Sequence, residues 1–242
     1  MSVGRVDKSA TGSVNFFAES ALPLKRRRRG VRIEYVGRVN RASTVIFDLG
    51  GVLIDWDPRH LYRQLFDDPS EMERFLAEVT TAEWNGRQDE GRPWSEAIAE
   101  LVAEHPGQRA LIEAFHQRWP EMLAGEIPGS VDVLREVRAT GVRLLALSNR
   151  SSETFPFALE RFDFLSWFEA IVISGDVKAR KPHRGIFEHV MDQLEVEPAS
   201  SIFVDDSVEN VDTARALGFV ALRFVDAVTL RHDLKRLEVL RR

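Results

Sequence analysis

The sequence predicts an α/β fold, a doubly wound parallel sheet interrupted just after its first strand by an all-helical insert. Three observations predict it. The stretch "STVIFD" at 43–48 strings together Thr44, Val45, Ile46 and Phe47, β-formers with no polar break, as a strand covered on both faces requires. Residues 58–124 then read as helices only. From Pro128 onward, helices and strands alternate at the spacing of right-handed crossovers between parallel strands.

The first strand ends on Asp48, with Gly50 and Gly51 close behind. A carboxylate at the tip of a buried strand is expensive to desolvate unless something pairs with it. In the insert, "HLYRQLF", "EMERFLAEV", "WSEAIAELVAE" and "RALIEAFHQRW" place apolar residues at three- and four-residue spacing. Pro58, Ser70 and Pro93 stand where helices begin. The polar stretch "EWNGRQDEG" reads as a loop between insert helices, with Trp84, Arg87 and Asp89 as candidates to face a substrate. Trp56 and Trp119 are expected to pack in the insert or at its hinge.

A helix over 129–139 leads through Gly141 to the strand "RLLALSN". Helices near 151–162 and 183–194 precede "AIVIS" and "SIFVDD", and one over 208–217 ends at Gly218 before "FVALRF". The organisation expected is a core of 43–57 and 125–242 with the insert at 58–124.

Composition sets limits. Of 242 residues, 44% are hydrophobic and 29% charged, which suits a soluble protein with a sizeable core. There is no cysteine, so disulfides and thiolate chemistry are excluded and a reducing, cytoplasmic setting is expected. No apolar run approaches the ~18 residues that span a bilayer. The net charge of −5 hides an asymmetry, because residues 1–42 carry ten Lys/Arg against Asp7, Glu19 and Glu34. That arm is expected to be a solvated, disordered extension; contact with nucleic acid or an acidic membrane, or a transit role, are the competing readings. The acidic remainder argues against nucleic acid as a substrate. The six histidines show no paired metal spacing.

In open parallel sheets, ligands bind outside the carboxyl ends of the strands. Those ends carry Asp48, then Ser148 and Asn149, then Asp205 and Asp206, while the loop after "AIVIS" carries Lys178, Arg180 and Lys181 before Pro182. Singly, each has an ordinary structural use as a helix cap or a solvated turn. Together, three carboxylates held close require a cation, and hard oxygen ligands point to Mg²⁺. A lysine and a hydroxyl beside it suit the oxygens of a phosphoryl group. Asp48 is then a nucleophile able to form an aspartyl-phosphate.

These residues fall in order within "FDLGGVL", "LSN", "KP" and "VDDS", and with them the sequence resembles the haloacid dehalogenase-like (HAD) hydrolase superfamily over residues 43–225. The resemblance implies a Rossmann-like core with 58–124 as a small helical cap that closes over the site and selects substrates. It implies Asp48 as nucleophile and Mg²⁺ ligand, with the backbone carbonyl of Gly50 as a second ligand. Ser148 and Asn149 bind the phosphoryl group, Lys181 stabilises it, and Asp206 ligates Mg²⁺, with Asp205 direct or through water. Phosphatases of the superfamily usually carry a second Asp, as general acid and base, where this chain has Gly50. Its dehalogenases lack that Asp, because they attack carbon and need no metal. "VDDS" favours the phosphatase, and the "DLG" opening is similar to a branch with sugar-1-phosphate phosphatases and the phosphatase domain of epoxide hydrolases.

The expected function is therefore Mg²⁺-dependent hydrolysis of a small phosphorylated metabolite, a sugar phosphate among the candidates. A metal-free 2-haloacid dehalogenase and a non-catalytic HAD-like binding protein are the alternatives. Without the second Asp, esters whose leaving group departs easily should be preferred. Asp55 and Asp57 are the candidate substitute carboxylates.

Overall fold

The computed structural model describes residues 42–241. Apart from Ala42, the basic arm expected to be disordered lies outside the described residues. In chain order the elements begin with β1 (Thr44–Phe47), β2 (Ile54–Trp56), α1 (Arg59–Tyr62), α2 (Pro69–Glu78) and α3 (Ala82–Asp89). Next come α4 (Trp94–Glu104), α5 (Arg109–Gln117), β3 (Leu123–Glu126), α6 (Ser130–Ala139), β4 (Arg143–Ser148) and α7 (Phe155–Arg161). The chain continues through β5 (Ala170–Ile173), α8 (Ser174–Val177), α9 (Arg184–Gln193), β6 (Ser201–Asp205), α10 (Val208–Ala216), β7 (Val220–Arg223) and α11 (Ala227–Arg236).

Five strands form one sheet in the order β5-β4-β1-β6-β7, every pair parallel. β1 is central, and the chain fills one side of it before returning to fill the other, which puts the switch point beside β1. Alternation along β1 explains the two-sided core. Val45 and Phe47 belong to a cluster with Val131 and Leu134 of α6 and Leu230 of α11, whereas Ile46 packs with Ile186 and Phe187 of α9 and Val211 of α10. Each face is covered by helices, as uninterrupted apolar strands require.

Three features correct the sequence expectation. β2 and β3 pair as a small antiparallel ribbon, so the insert enters and leaves the core through hydrogen-bonded chain, with Leu123 opposite Trp56. The stretch read as a loop is the helix α3, whose first turn is closed by Thr81 Oγ1 accepting from the Trp84 amide at 3.0 Å. The first insert helix is also shorter than "HLYRQLF", ending at Tyr62. The insert has its own aromatic centre, where Tyr62, Phe75, Trp84, Trp94 and Phe115 meet at ring separations of 5.1–6.1 Å. Among the described residues, no helix is long and apolar enough to cross a membrane.

Candidate active site

Asp48 lies one residue beyond β1. Its amide donates to Val204 O at 2.8 Å, so β6 holds the backbone up to the point where the side chain leaves the sheet. The carboxylate is buried, and its Oδ1 accepts from the Leu49 amide at 2.7 Å and pairs with Lys181 Nζ at 2.9 Å. Lys181 is itself buried, and its ammonium also donates to Asp205 Oδ2 at 2.7 Å and Leu147 O at 2.7 Å. All three of its protons are thereby used. The strand-end carboxylate is not isolated; it shares a lysine with a second carboxylate.

The electrostatics follow. Burial pushes the Asp48 carboxyl up to about 7; Lys181 pulls it back, and Asp205 and Asp206 add to the rise. For Lys181, burial is the largest influence and works against its charge, but the two carboxylates outweigh it and hold its pKa above the ordinary lysine value. Asp206 is also raised, first by burial and then by Asp205. One lysine thus serves three carboxyl groups whose oxygens lie within 4.8 Å of one another.

The three acids are not equivalent. Asp205 is wholly buried, and its oxygens accept from Lys181, from the Ser207 amide at 2.9 Å and from Asn210 Nδ2 at 2.9 and 3.1 Å. Asp206 is exposed and lies against Gly51. A Cβ on Gly51 would fall 2.5 Å from Asp206 Oδ2, and its φ of +74° is one that L residues rarely adopt. Gly50 has neither restriction: a Cβ there would meet Arg150 Nη2 at an ordinary 3.6 Å.

Ser148 ends β4 and lines the same cleft, which also takes in Asp48, Gly50, Asn149, Arg150 and Asp206. The Asn149 amide is spent on the neighbouring loop, accepting from Lys181 N at 2.8 Å and donating to Lys181 O at 2.8 Å. Its side chain therefore positions Lys181, while the residue itself also lines the cleft. Opposite, the insert lines the cleft with Asn85 and Asp89 of α3 and with Trp56 and Trp119, whose rings stack at 6.5 Å. The two tryptophans pack together, as expected, and also form a wall of the cleft.

Trp84 and Arg87, the other two residues expected to face a substrate, are placed away from this cleft. Trp84 is buried, edge-on to Trp94 at 5.6 Å and to Phe115 at 5.2 Å, and the Arg87 side chain is exposed, with Glu83 at 3.9 Å. Neither lines the cleft; on the helix that replaces the expected loop, Asn85 and Asp89 do. Asp55 and Asp57 are engaged elsewhere. Asp55 pairs with His60 Nε2 at 3.0 Å, while Asp57 caps the Arg59 amide at 2.8 Å and meets its guanidinium at 3.3 Å.

Arg150 escaped sequence reasoning, because an Arg just after a strand usually reads as surface. Here it is 4% exposed, its Cζ lies 5.0 Å from the Trp119 ring centre, and its Nε and Nη1 have no hydrogen-bond partner among the described residues. Burial works against its charge, and Asp89 and Asp48 are the carboxyl groups that support it. Two unpaired donors on a buried guanidinium call for an acceptor from outside the chain.

A family model described as haloacid dehalogenase-like hydrolase matches residues 42–218. The chain belongs to that family. Membership makes it a hydrolase. Among curated HAD-like relatives, it is 26% identical over 195 residues to the sesquiterpene phosphatase astK of Aspergillus oryzae, a match covering 81% of this chain and 96% of that one. It is 34% identical over 122 residues to mouse (Mus musculus) N-acylneuraminate-9-phosphatase, covering 48% and 47% of the two chains. A HAD family enzyme from Bacteroides thetaiotaomicron superposes with a TM-score of 0.63 at 21% identity, over 81% of this chain and 99% of that one. The same enzyme has been solved in complex with magnesium and inorganic phosphate.

Proposed function

We propose that the protein is a Mg²⁺-dependent phosphomonoester hydrolase that works through an aspartyl-phosphate on Asp48. The observation that carries this reading is the cluster of Asp48, Asp205 and Asp206 oxygens within 4.8 Å, served by one lysine. That surplus negative charge suits a divalent cation, and the donor set is all oxygen, which suits Mg²⁺. Asp48, Asp206 and the Gly50 carbonyl would hold the ion. Asp205, its oxygens already bonded, would act through water and through Lys181. The ion supplies charge neutralisation for the phosphoryl oxygens.

The chain's own residues do the rest. Lys181 keeps the Asp48 carboxylate oriented, and Asn149 and Leu147 fix Lys181. Ser148 and Arg150 line the cleft as donors for phosphoryl oxygens. The helical insert acts as a cap and presents α3 and the Trp56–Trp119 pair to the organic part of a small phosphorylated metabolite. Sugar phosphates follow from the motif resemblance, and the sesquiterpene phosphatase relative adds isoprenoid phosphates to the class.

Gly50 favours the dehalogenase reading, but the paired acids at 205 and 206 have no use in a metal-free displacement. The test is an activity screen of sugar, isoprenoid and aryl phosphates beside 2-chloropropionate, with Mg²⁺ and with chelator. Phosphate release that needs Mg²⁺ and disappears in Asp48→Asn is expected. Chelator-insensitive halide release would overturn the assignment.

A further inference from the structure

Position 50 leaves the reaction without a carboxyl group where the resemblance leads one to look for an acid and base. The substitutes suggested by sequence, Asp55 and Asp57, are bonded to His60 and Arg59 and do not line the cleft. Apart from Asp48 and Asp206, which belong to the cation cluster, one carboxyl group does line it: Asp89, on the last turn of α3.

Asp89 is held in place from several directions. Asn85, one helical turn earlier, donates from Nδ2 to Asp89 Oδ2 at 3.2 Å. Its main-chain carbonyl accepts from Ser174 Oγ at 2.5 Å, which ties this end of α3 to the core beyond β5. The charged groups facing its carboxyl are Arg150 and Arg180 from the core and Glu90 beside it, together with the Ser151 amide. Burial outweighs the two arginines and raises the carboxyl to about 6, so both protonation states are accessible near neutrality. Arg150, Asp89 and Asp48 line the same cleft, and both carboxyl groups support the charge of Arg150, Asp89 the more strongly.

We infer that Asp89 is the proton donor and acceptor of the hydrolysis, supplied from the cap in place of a side chain at position 50. The inference rests on the phosphatase reading. In the first step an Asp48 oxygen bonds to phosphorus as the bond from phosphorus to the leaving oxygen breaks. The leaving oxygen takes the Asp89 proton and departs as an alcohol. In the second step water attacks phosphorus and gives a proton to the Asp89 carboxylate. The phosphorus–Asp48 bond breaks, its electron pair returns to Asp48, and inorganic phosphate leaves. Arg150, whose Nε and Nη1 have no partner among the described residues, is left to hold the phosphoryl oxygens during both steps. The competing role for Asp89 is purely structural, as a partner of Asn85 and Ser174 that fastens the end of α3.

The two roles separate on the leaving group. kcat/KM of the full chain with Mg²⁺ is measured on phosphate monoesters running from aryl to alkyl. Wild type should depend weakly on leaving-group pKa. Asp89→Asn should lose about 10²–10⁴-fold on alkyl esters and little on the best aryl ester, and Gly50→Asp added to it should recover part of that loss. A loss of equal size across the series, or a steep wild-type dependence, overturns the inference. Gly50→Asp alone gives a second test that does not need the Asp89 variant to fold: it should leave the wild-type slope unchanged, and a marked flattening would show that Asp89 had not been moving the proton. Failure of the phosphatase reading has a different signature, the absence of Mg²⁺-dependent phosphate release from every ester, aryl included.

Discussion

Gly50 and Gly51 are neighbours of one chemical type, yet only one of them is required by the backbone. Gly51 combines φ +74° with a Cβ position 2.5 Å from the Asp206 carboxylate, whereas Gly50 has room for a side chain beside Arg150. Gly51→Ala should therefore cost about 1–3 kcal/mol through the strained conformation and displace Asp206, weakening Mg²⁺ binding. Gly50→Ala should do neither. Chemical denaturation and calorimetric Mg²⁺ titration distinguish them. Asp48 gives a pH test. Its folded pKa of about 7 exceeds the 3.8 of a free aspartate side chain, so the folded state holds the proton more tightly. Relative to Asp48→Asn, the metal-free wild type should lose stability as pH rises from about 4 to about 7. If Asp48 ligates Mg²⁺ as proposed, the ion displaces that proton, so its affinity should increase over the same interval, with proton release visible in buffers of different ionisation heat. Asp48, Ser148, Asp205 and Asp206 were legible in the sequence because each stands at the end of a buried strand, and Lys181 because it lies in the loop that follows another. Arg150 was not, since its burial depends on Trp119 arriving from the far end of the cap.

Among the elements, α3 shows why some of the fold escaped sequence reasoning. "EWNGRQDEG" is polar and contains Gly86, so the apolar spacing that marks its neighbours is missing. The helix forms because Thr81 caps it and Trp84 anchors it to the aromatic centre. Gly86 is used for close approach, as a Cβ there would lie 2.7 Å from Arg180 Nη1. Thr81→Ala should cost about 1 kcal/mol and raise amide exchange across residues 82–89 ahead of global unfolding. Trp84→Ala, which the loop reading would have made a specificity variant, should instead destabilise by about 3–5 kcal/mol as a large buried aromatic is lost. β2 and β3 escaped for a different reason. Three and four residues are too few to display a period, and their pairing joins segments separated by the whole insert. The long buried strands and their crossover helices were readable because each residue's burial matched its neighbours' pattern.

At the scale of the whole molecule, cap and core meet through polar contacts. Trp94 donates from Nε1 to Ser151 Oγ at 3.1 Å and from its amide to Glu153 Oε1 at 3.0 Å, and Arg180 reaches Glu83 at 3.0 Å and Glu90 at 3.1 Å. Half-exposed ion pairs add little to stability, about 0–1 kcal/mol each, but they bias how closely α3 sits over the cleft. Arg180→Ala should therefore leave the melting temperature nearly unchanged and raise KM more than it lowers kcat. High salt should imitate it in the wild type, as steady-state kinetics at two ionic strengths would show. On the other side of the cap, Asp57 N donates to Met122 O at 3.0 Å, so the chain departs from the core and rejoins it within one hydrogen bond. The excursion begins and ends at one place on the core, and its remaining ties to the core are side-chain contacts. Any compact segment whose ends meet at that spacing can be exchanged there without moving a strand of the core or the acids at its edge. A lineage can thus trade one substrate for another by swapping what is plugged in, provided the new segment again brings a proton-transferring group to the place Asp89 holds.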